Sequence, residues 1–445
     1  MTAEPQDQSQ PHPWGQTAAT AAFGAYALLG RLAAPLVRHY LRRRLARGRE
    51  DAERFSERLG QASRPRPNGP LIWIHGASVG EAQSALPLVE RLRHDWPDFA
   101  ILVTSGTVTS ARLMGERLPQ GVIHQYVPVD LPQAVEHFLA HWQPQIGLII
   151  ESEFWPNLLR GAAARGARLV LLNGRISADS YKGWQRARPI IVDLLGCFSL
   201  IAARTPEDRD RLLGLGAGTV ASPGDLKAAA PPLSADPAKL AELQVGIARR
   251  PCWLAASTHR GEERAIGETH RALKPRHPGL LTLLAPRHPG RAAEIRRELE
   301  SLGLTVAQRS LSEAISPATD VYLADTIGEL GLWYRLAEVV FVGGSLVPHG
   351  GQNLLEPAKL DCAILAGPHT ANFARLATQM SDCGGLRPVG GPADLTAVVD
   401  DLLGDPAQRR SLAAAAARYA AGEAGALDRT MELLEPLLRK ASGMD

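Results

Sequence analysis

At 445 residues the chain is longer than one hydrophobic core usually serves, so two domains are expected, each able to bury a core of its own. Hydrophobic residues at 45% and charged residues at 21% exclude a disordered chain, and a net charge of only +3 excludes a general polyanion-binding surface, so no nucleic-acid partner is expected. Cys197, Cys252, Cys362 and Cys383 are far apart with no CxxC pair, which suits a reducing compartment and supports neither a zinc site nor a disulfide framework.

Residues 1–16 are polar and Pro/Gln-rich and read as a loose tail. From Thr17 to Leu36 the chain carries a single charge, Arg31, over a length close to the ~20 residues of a membrane span. Its alanines, Gly24, Gly30 and Pro35 make that span a poor one. Arg38, Arg42, Arg43, Arg44, Arg47 and Arg49 follow directly, where positive charge belongs if this side faces the cytoplasm and anionic lipids. A secretory signal would carry its charge before the apolar stretch. The expectation is a retained anchor within residues 1–48, favoured over an amphipathic helix packed on the first domain.

From Leu71 the pattern becomes strand, turn and helix, repeated. The apolar runs are 71–77, 100–106, 122–130, 146–152, 169–175 and 198–204, with helical spacing between them. Continuous apolar strands alternating with helices predict a parallel sheet covered on both faces, one Rossmann-like unit over residues 49–228. Pro223 to Pro237 breaks the rhythm with its prolines, and residues 229–238 are assigned as linker. A second strand series follows at 251–257, 280–286, 304–308, 320–325, 338–344 and 362–367, and 406–440 is Ala/Leu/Arg-rich and helical. Residues 239–445 are thus a second Rossmann-like domain, and two such domains would face a central cleft lined by strand carboxyl ends.

Chemistry-bearing residues fall at those strand ends. GGSLVPHGGQNLLEPA (343–358) leaves a buried strand through glycines and opens a helical segment, an arrangement whose free N–H groups suit an anion. HGASVGE (75–81) lacks the Lys-Ser/Thr of a nucleotide-binding P-loop. Its Glu81 fits two roles equally, a general base toward an acceptor hydroxyl or a carboxylate suited to the positive end of a helix. ESEFWPN (151–157) places Glu151 and Glu153 at alternating positions, on one side of an extended chain. No DxD stands at a comparable strand end, so no metal is expected. Arg287 in APRHPGR is a natural phosphate or carboxylate partner. Thr326 reads as a helix N-cap with Glu329 at the third helical position, and Lys227 in GDLK could offset charge on a leaving phosphate.

Together ERFSERLG, IWIHGASVGE, YVPVD, ESEFWPNLL, LLNGRIS, GDLK, APRHPGR, DTIGELGLWY and the 343–358 stretch resemble, in order, the 3-deoxy-D-manno-octulosonic acid (Kdo) transferases of lipopolysaccharide core synthesis. The resemblance implies a GT-B architecture and a metal-independent, inverting transfer of Kdo from CMP-Kdo to a lipid A precursor at the cytoplasmic face of the bacterial inner membrane, with no cofactor. It implies Glu81 as general base, with Glu151 and Lys227 stabilising the transition state. It assigns CMP to Pro286 and Arg287, to Ile327, Gly328 and Glu329, and to Asn353, Leu354, Leu355 and Glu356. The chain departs from the family pattern at Gln352 and Leu354, where the motif commonly reads GGHNPLEPA, and at Ile327, where methionine is usual. Other GT-B enzymes, such as a UDP-sugar transferase or a nucleotide-sugar epimerase, are the alternative; a non-catalytic membrane-bound nucleotide sensor is a more distant one.

Overall fold

The computed structural model describes residues 13–443; most of the expected polar tail, residues 1–12, lies outside them. Two compact units are present, one formed by residues up to Ala230 together with those from Ala424 onward, the other by Pro231–Glu423.

The first unit is built on a parallel sheet of β1 (Leu71–His75), β2 (Ala100–Ser105), β3 (Ile123–Tyr126), β4 (Ile146–Ile150), β5 (Arg168–Gly174), β6 (Phe198–Ala203) and β7 (Val220–Ala221). Their order is β3-β2-β1-β4-β5-β6-β7. Strand alternation sorts the core onto two faces: Leu71, Trp73, Leu102 and Leu169 belong to one buried cluster, Ile72, Ile74, Ile101 and Leu148 to another. That second cluster also takes in Met431, Leu434 and Leu438 from the helix Ala426–Ser442. The sequence division had left this helix with the second domain. Its apolar positions recur at helical spacing and cover a sheet face that would otherwise meet water.

The second unit repeats the plan with β8 (Cys252–Thr258), β9 (Leu281–Pro286), β10 (Val306–Gln308), β11 (Val321–Leu323), β12 (Val339–Val342), β13 (Ala363–Ala366) and β14 (Arg387–Pro388). The order is β10-β11-β9-β8-β12-β13-β14, again parallel. In an open sheet of this kind the strand order reverses at one place, and ligands collect outside the carboxyl ends there. That place is between β1 and β4 in the first unit and between β8 and β12 in the second.

The helix Pro13–Ala46 lies against the first unit. Ala19 and Phe23 join its core, Tyr26 Oη donates to Asp130 (3.1 Å), and Arg160 sits over the Phe23 ring at 4.2 Å. Its stretch from Ala19 is long and apolar enough to cross a membrane, by length and composition.

Candidate active site

Behind β1 the chain turns tightly at Gly76, where a Cβ would sit 3.1 Å from Glu81 Cβ. Ser78 caps the helix Val79–Asp95, its hydroxyl accepting from the Glu81 N–H. The Glu81 carboxylate reaches back, accepting from the Ala77 N–H (2.7 Å) and the Ser78 hydroxyl (2.7 Å). This is a variant of the capping box in which the carboxylate reaches the N–H one residue before the N-cap. It uses two of roughly four acceptor positions on the carboxylate and leaves the side chain partly exposed. The capping reading is therefore realised, and it leaves room for the other.

Glu151 closes β4 in the left-handed region (φ 66°), is 8% exposed, and accepts a hydrogen bond from Lys227 Nζ at 2.5 Å. Lys227 is carried by a short helical turn, Leu226–Ala229, capped by Asp225 and tied by the Leu226 N–H to Asn173 Oδ1 (3.0 Å) at the end of β5. The extended-chain alternation that placed Glu151 and Glu153 on one side does not apply, because the chain bends at Glu151. Glu153 instead stands 3.7 Å from His75 Nε2 and accepts from Trp155 Nε1. Burial is the largest influence and raises its pKa, but nearby His75 and the hydrogen bond from Trp155 together bring the net shift downward.

In the second unit Arg287 follows β9 and is exposed, with its backbone N–H on the Thr258 carbonyl (3.0 Å). Burial raises the pKa of Glu356, against the opposing effects of the Asn353 amide (3.2 Å) and the Arg287 charge. The segment from Asn353 forms only a single helical turn, Leu355–Ala358, and Leu354 and Leu355 turn their side chains into the core, leaving main chain to meet any ligand. The glycine turn before it is not free to hold an external anion. Glu262, fully buried, accepts from the N–H groups of Gly344 (2.7 Å), Ser345 (3.0 Å), Leu346 (2.9 Å) and His259 (2.8 Å).

Ile327 is 88% exposed beside Gly328, whose φ of 84° suits glycine. The Glu329 carboxylate is held by Arg309 (3.0 and 3.1 Å), Thr326 (2.6 Å) and Lys239 (2.9 Å). The Arg309 hydrogen bonds above all bring its pKa down to about 2. The helix here begins at Leu330, so Thr326 meets Glu329 across a bend rather than across a first helical turn.

Sequence reasoning did not single out Asn173, Glu262 or His259. His259 is 8% exposed and stacks on His349 with ring centroids 4.2 Å apart; burial first, then the neighbouring His349, His288, Arg287 and Arg291, push its pKa down to about 4. One signal for Glu262 was available: an acid opening the helix behind a unit's first strand, the position Glu81 occupies behind β1.

A family model described as 3-deoxy-D-manno-octulosonic-acid transferase (kdotransferase) matches residues 53–230. A 3-deoxy-D-manno-octulosonic acid transferase of Bordetella pertussis is 36% identical over 438 residues, covering 93% of this chain and 99% of that protein. One from Haemophilus influenzae is 34% identical, covering 87% and 92%. Among solved structures, a UDP-GlcNAc 2-epimerase from Neisseria meningitidis superposes with a TM-score of 0.57 at 13% identity over 83% of this chain and 100% of that one, a likeness of fold. The two-unit GT-B fold is thus shared with an epimerase, while sequence identity along nearly the whole length separates the two, and the chain belongs to the 3-deoxy-D-manno-octulosonic acid transferase family.

Proposed function

We propose that this Kdo transferase moves Kdo from CMP-Kdo to a hydroxyl of a lipid A precursor, with inversion and without a metal, in lipopolysaccharide inner-core synthesis. The observation that carries the reading is the placement of charge at the β1/β4 reversal: Glu81 behind β1, and Glu151 at the end of β4 paired with Lys227.

The acceptor oxygen attacks the anomeric carbon as the bond from that carbon to the phosphate oxygen of CMP breaks. The hydroxyl proton passes to Glu81, and CMP leaves as the phosphate monoester. The two hydrogen bonds from the Ala77 N–H and the Ser78 hydroxyl fix the orientation of the Glu81 carboxylate. A weak base suffices because the donor is already activated. Glu151 offsets oxocarbenium-like charge, and Lys227 both holds Glu151 in place and offers positive charge to the leaving group. Pro286 and Arg287, Ile327 to Glu329, and Asn353 to Glu356 are assigned to CMP, largely through main chain at Leu354 and Leu355. The helix Pro13–Ala46 holds the enzyme at the cytoplasmic surface of the inner membrane. Its docking along the first unit favours a helix lying on the bilayer over one crossing it.

Glu81→Gln keeps both capping contacts in outline but removes the proton acceptor. Transfer is expected to fall by about 10²- to 10⁴-fold with CMP binding unchanged. Product formation followed by mass spectrometry measures this, and near-normal turnover would sink the assignment.

A further inference from the structure

Between the helices Pro13–Ala46 and Pro132–Trp142 lies a cavity of about 320 Å³. Gly30 and Ala34 leave the space, and Arg31, Arg38, Arg42 and His137 stand around it. Among the described residues no acidic side chain lines it. Among the described residues Arg31 and Arg42 form no ion pair, and Arg38 donates only to the neutral amide of Gln133, at 3.0 Å. Three guanidinium groups on one stretch of helix, converging on a space without a counter-charge, are a site for an anion; their planar forks match a phosphate bidentately.

The same helix indicates where that phosphate comes from. Leu28, Leu29, Leu32 and Leu36 are 57%, 63%, 69% and 74% exposed, an apolar face left uncovered by the described residues. By the 3.6-residue period, Arg31 and Arg42 fall on the edge of the cavity face nearest Leu28 and Leu32. An interfacial helix sinks its apolar face roughly 5–10 Å into the headgroup boundary, which brings its flanks to the depth of the lipid phosphates. Flanking arginines extend to that level.

We propose that this cavity binds the phosphate of a bilayer phospholipid headgroup and so sets the orientation of the helix on the membrane. The proposal rests on the membrane-surface reading of the helix and adds a discrete binding site to it. A merely polybasic segment would behave differently, because every arginine near the surface would then count alike, at about five-fold in affinity each.

The test uses the full chain and sedimentation with vesicles of phosphatidylcholine alone or of equimolar phosphatidylcholine and phosphatidylglycerol. The triple variant Arg31→Ala/Arg38→Ala/Arg42→Ala is compared with Arg43→Ala/Arg47→Ala/Arg49→Ala, which removes the same charge away from the cavity. Ala34→Leu fills the cavity without changing charge. The cavity triple is expected to lose about ten-fold more affinity for the anionic vesicles than the distal triple, beyond the shared electrostatic loss. Ala34→Leu is expected to lose about ten-fold in affinity for them while keeping the electrostatic preference that its unchanged arginines supply, with transfer in detergent intact in all three. Equal losses in the two triples, with Ala34→Leu unaffected, overturn the site while leaving the membrane reading standing. A wild-type chain that binds neither vesicle overturns both. Binding of inorganic phosphate by the vesicle-free chain, lost in the cavity triple alone, reassigns the cavity to a soluble anion and overturns the lipid as its occupant.

Discussion

Glu262 does for the turn Gly343–Leu346 what an external phosphate would do for a phosphate-binding loop. Each carboxylate oxygen accepts two backbone N–H groups: Oε1 from Ser345 and Leu346, Oε2 from His259 and Gly344. Gly343 allows this closeness, since a Cβ there would lie 2.7 Å from Thr258 Cα. The substitution Glu262→Gln then has no good rotamer. Whichever way the amide is turned, its NH₂ faces two N–H donors, and two buried donors lose their acceptor. A loss of about 3 kcal/mol is expected, from about 1–3 kcal/mol for each buried unsatisfied group. Urea unfolding of the second unit, followed by Trp253 and Trp333 fluorescence, checks it; a change within experimental error would mean the turn does not depend on the charge.

At the scale of elements, the helix Ala426–Ser442 shows how packing, rather than position along the chain, sets membership of a core. Leu434 is 1% exposed within the cluster that includes Ile72 and Leu148. Leu434→Ala is expected to cost about 2–5 kcal/mol, according to how far the cavity collapses. The loss should appear in the first unit's unfolding although the residue follows the second unit in sequence; a loss confined to the second unit would contradict the packing described. The strands that carry the site were legible because buried parallel strands are continuous apolar runs ending in glycine or polar residues, as in LIWIHGA and VVFVGG. The two-residue strands β7 and β14 were not, being too short to show any period. The proposed residues Glu81, Glu151 and Lys227 were singled out by motif order and strand-end position, but the left-handed φ at Glu151, the Lys227 hydrogen bond and the Asn173 anchor had no such signal. Those are long-range contacts, up to 76 residues apart, and no local pattern encodes them. The GGSL turn was misread in the same way, since its partner Glu262 lies 82 residues from Gly344.

For the molecule as a whole, two separate sheets with separate buried clusters imply two cooperative blocks, and a ligand held by one block should stabilise that block. The CMP assignment names residues only in Pro231–Glu423, so CMP is predicted to raise the unfolding midpoint of the second unit and leave the first nearly unchanged. At a concentration one hundred times its dissociation constant the gain is about 2.7 kcal/mol. Calorimetry or thermal unfolding of the full chain reads both blocks in one trace, and Leu434→Ala identifies which of them is the first. UDP provides the comparison, because a UDP-sugar enzyme of the same fold would respond to it instead. A shift with CMP in the second block and none with UDP supports the donor assignment. A shift confined to the first block would place the nucleotide among Glu81, Glu151 and Lys227. In that case Lys227 would be a direct phosphate ligand, and the segments around Arg287 and Glu356 would lose their role.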